Sequence, residues 1–471
     1  MATKTKMLGV DKQGVQKVMK KSDYLIDGLG QVAINAIGSL TGMLTYFYTD
    51  KVGISAAVVA NVLIVTKIVD AFTDLIMGKI MDNGKSKYGK AKPWFLRMSI
   101  PVLVGTVALF TIPKTLTGLP QLLYLLVTNI LVSSFISTAI SVPYAALLVY
   151  RTRSMEERGT MGIVRAGFGY LVGMIIAIGL IPISNMLGGD QAAWIKLGAI
   201  FGVIAAVCLF VLFKKTKEVT NVTETGEQAE EEQLPFGQAL SYLFKNRYWL
   251  ALFILCLFSN INFGIAGASG AYYAKWVLGD DNLVGLMGAV GLIPSLGGFL
   301  ILGPMIKKFG QTKTMQISLG LGVIAFIVWL FKPDSLIMPL TCGLFTTFAT
   351  IPVMALTGPM TAMTVDYNDY KFGHKMTGIS NSAQSFGGKV SGGLGASIIG
   401  WCLAIGGYSA VATTQSTSAI YAIYAFTIII PMITTVAMFF LVRYLSPLEK
   451  EYPSILEEIQ KRDRELAASN D

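Results

Sequence analysis

The sequence predicts an all-α polytopic membrane protein whose twelve transmembrane helices form two pseudo-symmetric bundles of six. Three observations carry this prediction: the composition is apolar, long apolar runs recur along the chain, and one polar gap divides them six and six. The 471 residues are 53% hydrophobic and only 14% charged, whereas globular proteins carry about 25% charged residues. The apolar runs reach the length of about 20 residues that a spanning helix needs. A β-barrel would instead show short segments of alternating hydrophobicity.

The apolar runs define the order of the predicted elements. The first six predicted spans cover residues 22–48, 54–80, 97–115, 120–149, 160–186 and 192–213. The second six cover residues 247–276, 282–305, 314–332, 336–364, 376–406 and 417–444. Around these bundles (22–213 and 247–445) the sequence predicts an N-terminal tail (1–21), a linker (214–246) and a C-terminal tail (446–471). The linker contains the acidic stretch "ETGEQAEEEQLP" and is expected to be flexible, whereas the C-terminal tail has the pattern of an amphipathic helix from Ser454 onwards.

Lysine and arginine concentrate in alternate gaps between the spans, which predicts the orientation of the chain. The basic gaps contain Lys85, Lys87, Lys90, Lys92 and Arg97, then Arg151, Arg153 and Arg158, then Lys214, Lys215 and Lys217, then Lys307, Lys308 and Lys313, and finally Lys371 and Lys375. The opposite gaps contain only Lys51, Lys114, Lys275 and Lys332. Because basic residues mark cytoplasmic loops, both termini are predicted to be cytoplasmic in a cell membrane. We therefore attribute the net charge of +10 to topology and expect contact with a lipid bilayer and no binding of nucleic acid.

Motifs of catalysis and of cofactor binding are missing from the sequence. It has no Gly-rich phosphate loop followed by Lys and Ser or Thr, no H-E-x-x-H and no G-x-S-x-G. Its four cysteines lie far apart in apolar runs, which is typical of packing residues. The single histidine, His374, cannot build a metal site and is expected in a solvated loop. The sequence thus predicts neither an enzyme nor a cofactor, and no resident metal site.

Two acids, Asp70 and Asp74, lie four residues apart inside the second apolar run. Helical spacing places both on one face, with Lys67 one turn before Asp70. Two anions and one cation leave a net negative cavity, which suits a small monovalent cation, because oxygen ligands bind hard cations and a desolvated acid binds a proton more tightly. The alternative is a structural ion-pair network between helices.

Four further ionisable residues stand in or beside predicted spans. Arg165 and Lys389 are donors in apolar surroundings, suited to the hydroxyls or carboxylates of a polar solute. Either residue is alternatively an ion-pair partner of the acids in the second span. Asp366 and Asp369 fall at the membrane edge, where a cytoplasmic gate and a binding role are equally compatible with the sequence.

Several stretches together resemble one known family. These are "YFYTDKVGI", "DAFTDLIMGKIMDNGKSKYGKAKPW", "ISVPYAALL", "VDYNDYKFGHK" and "SAQSFGGKVSGGLGASIIGWCLAIGGY". In this order and spacing they are similar to the glycoside–pentoside–hexuronide:cation symporters, the branch of the major facilitator superfamily that contains melibiose permease. The likeness extends from about residue 20 to about residue 445. It implies the major facilitator fold and uptake of a sugar or glycoside by alternating access, coupled to Na⁺, H⁺ or Li⁺.

The resemblance also implies roles for particular residues. The family's two helix-two acids match Asp70 and Asp74, and a threonine that joins their cation site matches Thr138; Thr73 stands where the family usually has asparagine. The family's sugar-site arginine matches Arg165, and its helix-eleven lysine, near both sites, matches Lys389. The cation site is thus predicted to comprise Asp70, Thr73, Asp74 and Thr138, the solute site Gln31, Asp70, Ser141, Tyr144, Arg165, Gln384 and Lys389, and the gate Lys67, Asp366 and Asp369.

The chain departs from the family where the sugar would bind. An acid that the family commonly has in its first span aligns with Gln31. The Asp or Asn of the fourth span that holds sugar hydroxyls in the family aligns with Ser141, and an aromatic residue of melibiose permease aligns with Ala145. An acid that the family commonly has in helix ten aligns with Met363. A galactoside held by two carboxylates is therefore disfavoured. The sequence leaves two hypotheses: a different glycoside, or an anionic one such as a uronide whose carboxylate meets Arg165 or Lys389. Outside the sugar site, the family's usual Asp-Pro is Asp74-Leu75 in this chain, so a local kink of the second span is expected to be absent.

Two other functions remain compatible with the sequence. One is an exporter of amphipathic solutes, and the other is a membrane receptor that binds a solute on the same fold without transporting it. The second-span acid pair together with Lys389 favours uptake over both.

Overall fold

The computed structural model describes residues 9–10, 16–82, 86, 88–152, 154–218, 236–373 and 376–470. Within these ranges the secondary structure is helical and contains no strand of a β-sheet. The acidic stretch of the expected linker and the expected loop position of His374 lie outside the described residues. The helices belong to two compact units, and each unit is described by itself below.

Unit 1 covers residues 1–225 together with two short later segments, 280–288 and 399–416. Its helices are α1 (Lys21–Gly42), α2 (Leu44–Tyr46), α3 (Ala56–Asp82), α4 (Lys92–Phe110), α5 (Leu119–Asn129), α6 (Ser137–Arg151), α7 (Met155–Met186) and α8 (Gln191–Lys215). Two π-helical segments, Phe47–Lys51 and Ile130–Ile136, continue α2 and join α5 to α6.

Unit 2 covers residues 226–279, 289–398 and 417–471. The remaining helices of the chain are α9 (Phe236–Lys245), α10 (Arg247–Trp276), α11 (Leu283–Phe309), α12 (Gln311–Phe331), α13 (Ile337–Phe372), α14 (Thr377–Ile405), α15 (Thr417–Tyr424) and α16 (Ile430–Asn470). A third π-helical segment, Ala425–Ile429, joins α15 to α16. The short helix α9 lies inside the predicted linker, 214–246, after its acidic stretch.

Eleven helices among the described residues are long and apolar enough to cross a membrane. The first predicted span, 22–48, corresponds mainly to α1, which is less apolar than the others because it contains Asp23, Asp27 and Gln31. The other predicted spans all coincide with long helices, although their ends shift by several residues. The chain is therefore a multi-pass all-α membrane protein.

The C-terminal tail continues the last spanning helix without a break. Helix α16 runs from Ile430 to Asn470, so residues 446–470 are helical, as their amphipathic pattern predicts. Leu448 and Ile455 of this tail are buried in a core with Leu252, Met315 and Met360 of the bundle helices. The apolar stripe of the tail thus packs on unit 2 itself.

A glutamate caps the N-terminus of the third long helix in each half of the chain, α4 in the first and α12 in the second. Glu218, just after α8, accepts hydrogen bonds from the backbone N–H groups of Lys90, Ala91 and Lys92 at 2.8, 3.1 and 2.6 Å. In unit 2, Glu449 on α16 accepts from the N–H groups of Gln311 and Thr312 at the start of α12. A carboxylate at a helix N-terminus satisfies unpaired donors and opposes the positive end of the helix dipole.

A glycine with positive φ precedes each of these helix starts. Gly89 has a φ of 106° and Gly310 a φ of 82°, a region that residues with a Cβ atom rarely adopt. A Cβ atom on Gly89 would also lie 2.1 Å from Glu218 Oε2. Gly89 and Gly310 therefore have the same role at the two helix starts, which supports the prediction that the two bundles are pseudo-symmetric.

We expect Glu218→Gln and Glu449→Gln each to lower the free energy of unfolding by about 0.5–2 kcal/mol, because each removes the charge that stabilises a helix N-terminus. Thermal unfolding of the purified protein in detergent, followed by circular dichroism, measures the effect. Glu458→Gln is the matched control, because Glu458 is exposed on the same helix as Glu449. Equal melting temperatures for all three variants would contradict the capping role.

Candidate cation and solute site

Asp70, Asp74 and Thr138 meet between α3 and α6. The Thr138 hydroxyl lies 2.7 Å from Asp74 Oδ1 and 3.3 Å from Asp70 Oδ1. Asp70 and Thr138 are only 4% and 2% exposed. The structure thus brings Asp70, Asp74 and Thr138 together, as the family resemblance implies.

Thr73 completes this cluster of oxygen atoms. Its hydroxyl donates to the backbone carbonyl of Asp70 at 2.9 Å, and its Oγ1 lies 3.5 Å from Oγ1 of Thr138. Because the Thr73 proton is directed to the carbonyl, the lone pairs of its oxygen remain available as acceptors. We define the cation cluster as Asp70, Thr73, Asp74 and Thr138.

The backbone around the cluster departs from regular α-helix just before Thr138. The π-helical segment Ile130–Ile136 leads directly into α6, and such wide turns are frequent at functional sites. Ser134 in this segment donates to the carbonyl of Thr66 on α3 at 3.2 Å. One turn beyond Thr66, α3 carries Asp70, so this contact joins the two helices next to the cluster.

Lys67 lies at the edge of the cation cluster. Its Nζ is 3.5 Å from Asp70 Oδ2, and its side chain is 34% exposed while that of Asp70 is 6% exposed. With Lys67 included, the two carboxylates and one ammonium have a formal charge of −1. Lys67 was predicted as a gating residue; the structure places it as a direct partner of a cation-cluster acid.

A second network of buried charges centres on Asp27, a residue that the sequence analysis did not single out. Asp27 is fully buried. Arg165 Nε and Nη2 donate to its two carboxylate oxygens at 2.6 and 3.0 Å, and Arg151 Nη1 donates to Oδ1 at 3.2 Å. The partner of Arg165 is therefore Asp27 of α1, and the alternative pairing of Arg165 with Asp70 or Asp74 is not what the structure shows.

Tyr144 belongs to the network around Asp27. The Arg165 guanidinium carbon lies 3.8 Å from the centre of the Tyr144 ring, a favourable cation–π geometry. The Tyr144 hydroxyl donates to the backbone carbonyl of Asp27 at 2.9 Å. Tyr144 was predicted to bind solute; in the structure it supports the arginine with both its ring and its hydroxyl.

The predicted solute residues Gln31 and Ser141 are half-buried in unit 1. Asn35 Nδ2 donates to the Gln31 backbone carbonyl at 2.9 Å and approaches Gln31 Oε1 at 3.4 Å. A Cβ atom on Gly173 of α7 would lie 2.9 Å from Asn35 Oδ1, so α7 approaches these amides closely at this glycine. Ser141 lies on α6, between Thr138 and Tyr144 in sequence.

The predicted residues Gln384 and Lys389 belong to unit 2, where both lie half-buried on α14. Gln384 Oε1 accepts a hydrogen bond from the Thr361 hydroxyl of α13 at 3.1 Å. Its Nε2 is buried and bonds none of the residues that the structure describes. An unpaired buried amide donor is costly, so this group is suited to a ligand acceptor.

Asp366 and Asp369, the predicted gating acids, both contact the C-terminal part of α16. Tyr452 donates to Asp366 Oδ2 at 2.6 Å. Arg462 Nη2 donates to Asp369 Oδ1 at 2.7 Å, and its Nη1 donates to the Asp369 backbone carbonyl at 3.1 Å. The tail is therefore attached to the end of α13 by polar contacts as well as by the buried Ile455.

Unit 1 contains a further set of polar contacts, made by its two later segments. Asp281 accepts hydrogen bonds from the Tyr46 hydroxyl and from Asn185 Nδ2, both at 2.8 Å. Asp50 accepts from the Tyr408 hydroxyl at 2.6 Å. Sequence reasoning missed these acids because each stands near a helix end, where an acid is unremarkable.

Comparison with known proteins identifies the family. Residues 26–450 match the family described as MFS/sugar transport protein. The chain belongs to this family. The match confirms the predicted resemblance and the prediction of a carrier rather than an enzyme.

Relatives match along nearly the whole chain. An isoprimeverose transporter of Lactiplantibacillus pentosus is 28% identical over 94% of this chain and 92% of its own length. The uncharacterized symporter YnaJ of Bacillus subtilis is 28% identical over 92% of this chain and 94% of its own. A solved D-xylose–proton symporter shares the fold, with a TM-score of 0.60, 12% identity, and coverage of 88% of this chain and 96% of that one.

We expect Arg462→Gln to expose the tail. In a variant whose native cysteines are replaced by serine, Ile455→Cys reports exposure through its rate of maleimide labelling. Loss of the Asp369 ion pair should raise this rate about two- to fivefold, since partly exposed ion pairs contribute less than about 1 kcal/mol. Lys450→Gln, an exposed position on the same helix, is the control. Labelling at the Lys450→Gln rate would contradict the assignment.

Proposed function

We propose that this chain is a secondary active symporter that takes up a sugar or glycoside by alternating access, driven by Na⁺ or H⁺. The observation that carries the proposal is the Thr138 hydroxyl between the carboxylates of Asp70 and Asp74, deep in unit 1. Ionisable groups inside a membrane span are costly and mark ion or substrate pathways. The proposal places the protein in the cell membrane with both termini in the cytoplasm, as the distribution of basic residues indicates.

The chemistry of the cation cluster supports binding of a monovalent cation. Its ligands are two carboxylates and two hydroxyl groups, all hard oxygen donors. Rotation of the Thr138 hydroxyl would direct its lone pairs toward an ion instead of its proton toward Asp74. Two carboxylates beside the single ammonium of Lys67 favour a cation of one charge, such as Na⁺, Li⁺ or H⁺.

The solute is proposed to bind beside this cluster. In unit 1 the polar groups beyond Thr138 are Ser141 on α6 and Arg165 on α7, whose guanidinium is supported by the Tyr144 ring. A cation and a solute that each favour the same conformational state bind cooperatively, and this coupling makes symport possible. The relatives named as symporters and as an isoprimeverose transporter favour this proposal over export or a receptor.

Counterflow in proteoliposomes tests the proposed function directly. Vesicles containing the purified carrier and preloaded with one member of a glycoside panel should accumulate that labelled glycoside transiently, and more so when the coupling cation is present. A receptor would bind without counterflow. An exporter would give net outward flux on an imposed cation gradient.

We expect Asp74→Asn to abolish cation-driven accumulation, because the cluster loses the charge that matches the cation. The measurement is uptake of the labelled glycoside on an imposed Na⁺ or H⁺ gradient. Asp190→Asn is the matched control, since Asp190 is an exposed N-cap of α8 that asparagine can also cap. Full accumulation by Asp74→Asn would contradict the cation-site assignment.

We expect Thr138→Val to raise the cation concentration for half-maximal uptake about tenfold, because one oxygen ligand worth about 1–2 kcal/mol is removed from a nearly isosteric side chain. The control is Thr128→Val. The Thr128 hydroxyl donates to the Tyr124 carbonyl one turn earlier on α5 and lies outside the cation cluster. An unchanged cation dependence in Thr138→Val would show that its hydroxyl is not a ligand.

A further inference from the structure

The network around Asp27 is charge-balanced. Asp27 accepts both parallel hydrogen bonds of the Arg165 fork, the strongest geometry for such a pair. Arg151 adds its own bond to Asp27 and lies 3.9 Å from Asp23. Two arginines thus face two acids, and the formal charge of the four side chains is zero.

The ion pair between Arg165 and Asp27 also determines which nitrogen atom of Arg165 is left for a ligand. Its Nε and Nη2 are occupied by Asp27, and its face is covered by the Tyr144 ring. Its Nη1, with two N–H donors, makes no hydrogen bond to any described residue of the chain. Arg165 therefore presents one oriented donor edge whose charge is already opposed by a carboxylate at 2.6 Å.

The donor edge belongs to α7, but the residue that supports it, Tyr144, lies on α6 together with Thr138 of the cation cluster. Tyr144, which holds the Arg165 guanidinium, is six residues after Thr138 on α6, a rise of about 9 Å along the helix axis. Ser141 is halfway between them. A sugar ring and its hydroxyls fit this length, so the edge is placed where a solute coupled to the cation would be contacted.

An edge of this kind discriminates between solutes by charge. A sugar hydroxyl accepts one or two N–H bonds and needs no counter-charge. A uronide carboxylate must leave water, and the attraction that would offset its desolvation is reduced because Asp27 opposes the arginine. Bidentate pairing with the solute is also excluded at the edge that Asp27 already occupies.

We propose that Asp27 is a specificity-determining residue, which positions and neutralises Arg165 so that the solute site prefers uncharged glycosides to uronides. The proposal rests on the proposed function, and it chooses between the two solute hypotheses that the sequence leaves open. Asp27 acts through Arg165 and is not itself placed in contact with solute.

The test compares pairs of solutes that differ only in charge. Methyl glycosides of a panel of neutral hexoses, and the matching methyl uronides, compete for counterflow by the purified full-length carrier in proteoliposomes. For the wild type, each accepted glycoside should compete at least about tenfold better than its uronide, which corresponds to about 1.4 kcal/mol.

Asp27→Asn keeps the size of the side chain and removes its charge. We expect this variant to lose affinity for the neutral glycoside and to raise the uronide-to-glycoside ratio of affinities at least about tenfold, because the Arg165 charge is released. Asp190→Asn should leave the ratio unchanged. Asp27→Glu, which keeps the charge but displaces the fork, should weaken glycoside binding while the ratio stays low, and it provides the test if Asp27→Asn does not fold.

The outcomes separate the two proposals. An equal loss for glycoside and uronide in Asp27→Asn, with an unchanged ratio, would mean that Asp27 is only structural and would overturn the specificity assignment alone. A wild type that prefers uronides would overturn it as well and would favour a carboxylate partner elsewhere, such as Lys389. A wild type that exchanges no sugar at all would overturn the proposed function and with it this inference.

Discussion

The hydrocarbon interior of a membrane does not solvate charge, and this constraint organises the ionisable groups of the chain. Asp27 is fully buried and is tolerated because Arg165 and Arg151 bond its carboxylate. Asp70 is nearly as buried and lies 3.5 Å from the ammonium of Lys67. The two groups differ in their chemistry: arginines bond the carboxylate of Asp27, whereas the acids of the cation cluster are joined by the hydroxyl group of Thr138.

Helix α6 connects the two charge networks. Thr138 at its beginning lies against both cation-cluster acids, and Tyr144 further along holds Arg165 and the backbone of Asp27. The π-helical turn before α6 sets the rotation at which these side chains leave the helix. A change in the position of this one helix would therefore reach both networks, which is the physical requirement for coupling between two ligands.

In both halves of the chain, a glutamate pairs the free backbone amides at the N-terminus of the third long helix. In each, a glycine with positive φ precedes a helix whose N-terminal amides donate to a glutamate: Glu218, which follows α8, in one half, and Glu449, which lies on α16, in the other. In the second half the glutamate belongs to a helix that continues as the tail, and this tail also contacts Asp366 and Asp369. The tail is thus part of the packed bundle rather than an appendage.

The sequence by itself determined the class of protein, the order of its long helices, and the shared helix face of Asp70 and Asp74. Apolar runs of spanning length and alternating basic gaps are local signals, and the i, i+4 spacing of Asp70 and Asp74 places them together on any helix. The tertiary structure decided which charges meet. Asp27 and Arg165 are 138 residues apart, and Asp27 stands in the second turn of a rather polar helix, where an acid is no signal. The partners of Asp366 and Asp369 were equally hidden, because an amphipathic tail has no unique docking surface until the bundle has folded. Pairing of this kind depends on which helices are neighbours and how they are rotated, and neither quantity is written in the periodicity of any single segment.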